Sequence, residues 1–169
     1  MPTRTDQHRH GKGTEAAGPA IEAGLVGVFK TLVSQHRDVS VLLDRVKADP
    51  DKRFDLWPQI RRELLSHERG EVRELYPSLR ARPDTRALAE QHDREANELE
   101  LAIEKLDHTA IGSAAWVELF EDLALDVAEH AKHEETTIFP RAQAAIGEAA
   151  AHDLDARFLR AKRAAEASV

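Results

Sequence analysis

Two stretches of the chain read HERGEVRELYP from His67 and HAKHEETTIFP from His130. Each sets a Glu four residues after a His and an aromatic-proline pair five and six residues beyond that Glu. His67 thus goes with Glu71, Tyr76 and Pro77, and His130 with Glu134, Phe139 and Pro140. The copies are 130 − 67 = 63 residues apart. On an α-helix, residues four apart differ by about 40° in azimuth and one turn in height. Each pair therefore presents an imidazole nitrogen and a carboxylate oxygen on one stripe, which is the chemistry of cation ligation.

Both pairs fall on the apolar stripe of their segment. An ionised carboxylate there is costly unless it is paired or holds a metal, and two facing carboxylates repel each other. A cation between Glu71 and Glu134 relieves both costs. His36 and His92 occupy inward positions in two further periodic segments, giving four imidazoles and two carboxylates. That count fits two metals rather than one, with Glu71 and Glu134 bridging and open positions left over. Mixed nitrogen and oxygen ligation with vacant positions suits reactive non-haem iron, although zinc and manganese also bind such donors. The chain has no cysteine, which excludes thiolate zinc sites, iron-sulfur clusters, disulfides and thiol nucleophiles.

Four amphipathic segments must position these donors. The first reads Leu25, Phe29, Leu32, His36, Val39, Leu43 and Val46 at alternating spacings of four and three, from a start near Ile21. The second, capped at Asp55 with Pro58 in its first turn, carries Ile60, Leu64, His67, Glu71 and Leu75 inward. The third runs from a cap at Asp84 to His108 with Leu88, His92, Glu95, Leu99, Ala102 and Leu106 inward. The fourth follows Gly112 and a Ser113 cap, with Leu119, Leu123, Val127, His130, Glu134 and Ile138 or Thr137 inward. Short connections and no strand-like alternation predict an all-α, up-down-up-down antiparallel four-helix bundle with a short C-terminal helix. The divisions are a disordered tail over 1–20, the bundle over 21–145 and a helical extension over 146–169. His8 and His10 belong to the solvated tail.

Neighbouring positions sort by azimuth. Glu68 and Glu135 lie about 100° from the ligand stripe, so they are expected toward solvent or behind the ligands. His133 aligns with Gly70 rather than with a ligand, and His108 and His152 stand outside the stripe. Tyr76 and Phe139 are expected to pack at the bundle end, Pro77 and Pro140 to bend their helices, and Trp57 and Trp116 to fill core or helix ends.

The 169 residues suit one domain, and the formal charge of −7 argues against a protein that grips nucleic acid. No run approaches the ~20 apolar residues that span a bilayer, and the start lacks the apolar core of a secretory signal. A soluble cytoplasmic protein is expected.

In these residues the chain resembles a hemerythrin-like domain of the HHE cation-binding type. That pattern has a His on helix one, HxxxE with an aromatic and proline on helix two, a His on helix three, and HxxxE with a similar ending on helix four. The resemblance, over about residues 21 to 145, implies that His36, His67, Glu71, His92, His130 and Glu134 ligate a di-iron centre. It implies two Fe ions, oxo- or hydroxo-bridged, meeting dioxygen, nitric oxide or peroxide as the small partner. Oxygen-carrying members place a second His four residues after the helix-three ligand, where this chain has Ala96. That departure weighs against simple oxygen carriage, and Glu95 is a candidate either to fill the position or to stand behind the ligands. Oxygen or redox sensing, stress response, and peroxide- or nitric-oxide-consuming activity follow as expectations. The alternatives are a metal-stabilised regulatory module in iron handling and a dinuclear metal hydrolase.

Overall fold

A computed structural model describes residues 24–169, and every regular element among them is helical. In chain order, α1 spans Val28–Ala48, α2 Arg53–Glu74, α3 Tyr76–Arg80, α4 Arg86–Asp107, α5 Ala114–His133, α6 Phe139–Ile146 and α7 Glu148–Glu166. A 3-10 turn, Pro50–Lys52, precedes α2, and a π-helical turn, Glu134–Ile138, joins α5 to α6. The seams expected from the spacing of apolar residues are the buried faces of α1, α2, α4 and α5. The chain is thus an all-α helical bundle. No described helix is long and apolar enough to cross a membrane.

The bundle is layered along its length. One apolar cluster gathers Phe29, Leu32, Leu75, Leu79, Leu88, Ile138 and Phe139 with residues of α7. A second gathers Val39, Leu43, Trp57, Ile60, Leu99, Leu106, Trp116 and Leu123. Between them four of the helices place polar residues: His36 on α1, His67 and Glu71 on α2, His92 on α4, His130 on α5 with Glu134 just beyond it. A polar layer between two apolar layers is shielded from water, which strengthens every electrostatic interaction inside it.

Several boundaries differ from those expected. Helix α1 begins at Val28 rather than near Ile21, because Gly27 turns the chain with φ 54°, a conformation that disfavours side chains. A Cβ at Gly27 would stand 2.3 Å from the carbonyl oxygen of Ala151, so glycine also lets the start of α1 touch α7. Helix α2 begins at Arg53, led in by the Pro50 turn rather than capped by Asp55, which puts Pro58 inside the helix. The cap position of α4 is Thr85, not Asp84, and its hydroxyl donates instead to the Leu79 carbonyl at 2.8 Å. Ser113 caps α5 as expected, its Oγ accepting from the Trp116 N–H at 3.1 Å, a contact worth about 1 kcal/mol. Trp57 and Trp116 are buried together as an edge-to-face pair 5.8 Å apart.

The C-terminal helix is not short. At 19 residues α7 nearly matches the 22 of α2, along which it lies. Gly70 makes this close approach possible, since a Cβ there would meet the Phe158 ring at 2.8 Å. The tail over 1–20, with His8 and His10, lies outside the described residues.

Candidate metal centre

The polar layer resolves into two groups of donor atoms. Glu68, Glu71, His92 and His130 form one, and His36, His67 and Glu134 the other, with the donor atoms of each group within 4.8 Å of one another. All six residues singled out by spacing are therefore brought together. The two groups are stitched by the carboxylates. Glu71 Oε2 stands 3.3 Å from His67 Nε2 and 3.6 Å from His92 Nε2, so it faces both groups. Glu134 does likewise, with Oε2 3.2 Å from His36 Nε2 and 3.6 Å from His130 Nε2, and Oε1 3.5 Å from His92 Nε2.

Outer partners orient three of the four rings. His36 Nδ1 meets Glu135 Oε1 at 2.9 Å, His67 Nδ1 meets Gln35 Oε1 at 3.0 Å, and His130 Nδ1 meets Glu95 Oε2 at 3.0 Å. An oxygen acceptor holds a ring proton on Nδ1 and leaves Nε2 as the atom aimed inward, the arrangement that ligating histidines need. The Nε2 atoms of His36 and His67 accordingly face each other at 3.2 Å.

The aromatic-proline endings close the site. Pro77 cannot donate a backbone hydrogen bond, and α2 gives way at Leu75 to the short α3. In the second copy the helix widens into the π-turn, with the Phe139 N–H bonding the Glu134 carbonyl five residues back, just before Pro140. The rings then fall on imidazoles: Tyr76 lies on His92 with centroids 3.5 Å apart and planes 14° apart, and Phe139 stacks on His36 at 5.9 Å and 17°. Tyr76 and Phe139 thus roof the centre rather than simply filling the bundle end. The Tyr76 hydroxyl also donates to Glu134 Oε1 at 2.5 Å.

Electrostatics follow from packing imidazoles against buried carboxylates. Burial alone would lower the affinity of His36, His92 and His130 for protons, but the carboxylates outweigh it. Glu134 and Glu135 raise His36 to about 9. Glu68 and Glu71 raise His92 to about 10, and Glu134 and Glu68 raise His130 to about 12. Conversely, against the upward pull of burial, the imidazoles hold Glu134 at about 2 and Glu68 well below the usual carboxylate range. Glu95 is held at about 2, chiefly by its bond to His130. Burial, reinforced by the Glu134 charge, pushes the Tyr76 phenol up, so it remains a donor.

These residues fit a cation. Glu68 Oε2, both Glu71 oxygens, His92 Nε2, His130 Nε2 and Glu134 Oε2 are buried without a hydrogen-bond partner, a costly arrangement unless something positive lies among them. Donors bound to one ion at about 2.0–2.2 Å stand roughly 3–4 Å apart, and the atoms of each group lie within 4.8 Å of one another.

Glu68 is the residue that the spacing argument missed. Expected toward solvent or behind the ligands, it is buried, with Oε1 3.2 Å from His130 Nε2 and Oε2 3.4 Å from His92 Nε2. It lies three residues before Glu71, hence on the same face, and it is covered there by His92 of α4 and His130 of α5. Glu68 and Ala96 line a common cavity of ≈ 410 Å³ between α2 and α4. A carboxylate thus stands beside the position where an imidazole is absent. Glu95 does not fill that position; it stands behind His130, also accepting from Gln91. His133 contacts Glu95 at 3.5 Å, outside both donor groups. His108 turns its Nδ1 to the Glu104 carbonyl at its own helix end, and His152 is exposed.

A helical bundle with a buried His and Glu cluster that could hold a metal is the architecture of a metal-binding helical protein. The model described as "Hemerythrin HHE cation binding domain" matches residues 27–142. The chain belongs to the hemerythrin HHE cation-binding family. No curated protein and no solved structure matches the chain.

Proposed function

We propose that the chain is a non-haem di-iron protein of the hemerythrin type that binds and reacts with small oxidants: dioxygen, nitric oxide or peroxide. In this reading α1, α2, α4 and α5 with α6 alternate in direction, and His36, His67, Glu71, His92, His130 and Glu134 hold two iron ions, with Glu68 as a further donor. The observation that carries it is the position of Glu71 and Glu134, each set between imidazoles of both donor groups. Two carboxylates shared by two groups fit two ions better than one. When bound, the iron pair supplies electrons and open positions for a small oxidant.

The chain's own residues supply the rest. Glu135, Gln35 and Glu95 fix three imidazoles, Tyr76 offers a buried hydrogen-bond donor at Glu134, and two apolar layers exclude water. The cavity between α2 and α4 leads to Glu68 and is wide enough for a diatomic molecule or peroxide. A third carboxylate in place of an imidazole makes the donor set more anionic, which favours oxidised iron and hence turnover over reversible carriage. The net negative charge suits a small-molecule partner rather than nucleic acid, and a cytoplasmic setting agrees with the absence of a spanning helix among the described residues.

The test is metal analysis of the purified protein with absorption spectroscopy of its oxidised form. Two irons per chain with a charge-transfer band that azide or nitric oxide perturbs is the expected result. One zinc and no iron-dependent spectrum would overturn the reading.

A further inference from the structure

The C-terminal helix α7 lies beyond the residues that match the family model, yet its side chains reach His67, one directly and one through Gln35. Lys162 is buried at 7% exposure, and its Nζ donates to Gln35 Oε1 at 3.1 Å and to Glu63 Oε2 at 2.6 Å. The same Gln35 oxygen faces His67 Nδ1 at 3.0 Å. Phe158, one turn earlier, meets the His67 ring edge-on at 6.0 Å. A buried lysine is costly to place unless its charge is matched; Glu63 matches it here, and the ammonium gives a further hydrogen to a glutamine that itself touches a candidate ligand.

The chemistry of these three groups dictates an order. An amide can present either its oxygen or its NH2 to a neighbour, whereas an ammonium has hydrogens to give and no lone pair. Lys162 therefore fixes the oxygen of Gln35 toward itself. That oxygen can only accept, so His67 must carry its proton on Nδ1, and its Nε2 lone pair then points at the cluster. His36 and His130 need no such help, because Glu135 and Glu95 are carboxylates that accept in either orientation. Among the oriented ligands only His67 relies on a group that can turn over. We propose that Lys162 is a positioning residue for the metal centre, acting through Gln35 to hold His67 in its metal-binding tautomer, so that α7 is part of the site rather than an appendage to it.

The inference rests on the metal-centre reading for its metal readout, and its first test does not depend on metal at all. The tautomer of neutral His67 is read by long-range proton–nitrogen NMR in the metal-free full-length protein. The parent should show the proton on Nδ1. Lys162→Met keeps the apolar stem and leaves Glu63 half-exposed to water; it should let Gln35 turn and populate the Nε2-protonated ring. Adding Gln35→Glu to that variant supplies an acceptor with no NH2 to present and should restore the parent tautomer. Gln35→Leu removes the acceptor without touching α7 and should behave as Lys162→Met does, which keeps the test decisive if the lysine variant fails to fold.

The second readout is an iron(II) titration against a competing chelator, without oxidant. Lys162→Met should weaken one binding step by roughly tenfold to a hundredfold, the usual cost of losing an outer partner, and leave the other step in place. Circular dichroism establishes that the variants compared are folded. A folded Lys162→Met protein with an unchanged His67 tautomer, or a Gln35→Glu double variant that restores nothing, overturns the proposal. If the parent binds a single ion while the tautomers shift as described, the di-iron reading fails and the positioning role stands.

Discussion

Tyr76 gives its phenolic hydrogen to Glu134 Oε1 across 2.5 Å, joining the aromatic ending of the first repeat to the carboxylate of the second. The bond is buried and its acceptor is charged, so Tyr76→Phe leaves a carboxylate oxygen without its donor. The loss should cost about 1.5–3 kcal/mol in the metal-free protein. Melting should fall by roughly 2–4 °C for each kcal/mol lost, while the stacked ring on His92 is retained. Thermal denaturation of Tyr76→Phe beside the parent decides this; equal melting would show that the bond contributes nothing.

The shared carboxylates predict a hierarchy of metal loss. Glu71 and Glu134 each face both donor groups, whereas His36 and His130 belong to one group each. Glu134→Ala should release both ions, while His36→Ala should keep one of them. Metal content after gel filtration measures it, and intact loading in Glu134→Ala would remove the bridging role.

Acidity acts in opposite directions on the empty and loaded forms. His36, His92 and His130 are raised from 6.5 to about 9, 10 and 12. Their contribution to folding is complete below the ordinary value and is lost as pH rises through the raised ones. Glu134 is lowered from 4.5 to about 2, so its contribution is present above the ordinary value and lost as pH falls toward the lowered one. The metal-free protein should therefore be most stable between about pH 4.5 and 6.5 and melt at a lower temperature at pH 10. Metal uptake must expel the imidazole protons, so affinity should rise with pH over the range in which stability of the empty form declines. Melting curves and metal titrations across a pH series measure both slopes; slopes of one sign would contradict the assignment.

Glu68 beside Ala96 makes a further prediction. Glu68→Ala should weaken metal binding, and Ala96→His should compensate by offering an imidazole from α4 into the same cavity. The double variant should bind metal more tightly than Glu68→Ala alone and consume peroxide more slowly than the parent at matched iron content. If Glu68→Ala binds metal as the parent does, its carboxylate is not a donor.

Much of the fold could be read from periodicity because each helix buries one face, and His36, His67, Glu71, His92, His130 and Glu134 fall on those faces. Ser113 was legible for the same local reason, since a cap depends on its own turn. Glu68 was not, because an azimuth of about 100° from His67 means solvent only if one stripe of the helix is covered. Glu68 faces His92 and His130 while α7 covers another side of α2, so more than one stripe is buried, and the signals of the second side were glycines. Gly70 and Gly27 mark where α7 presses close, but a missing Cβ does not announce its neighbour. Tyr76 escaped for a different reason: the break before Pro77 changes where its ring points, and the spacing within an unbroken helix cannot express that.

The roofing rings cross between the two halves of the chain. Tyr76, from the half that ends before α4, covers His92 of the other, and Phe139 returns the cover to His36. Both donor groups likewise draw from both halves. Neither half of the chain owns a finished binding site, so a chain severed in the connection between α3 and α4 should yield two fragments that are each poor in metal affinity. Mixed together they should reassemble and regain it. The duplicated motif is in this sense an obligate partnership, in which each copy supplies what the other lacks.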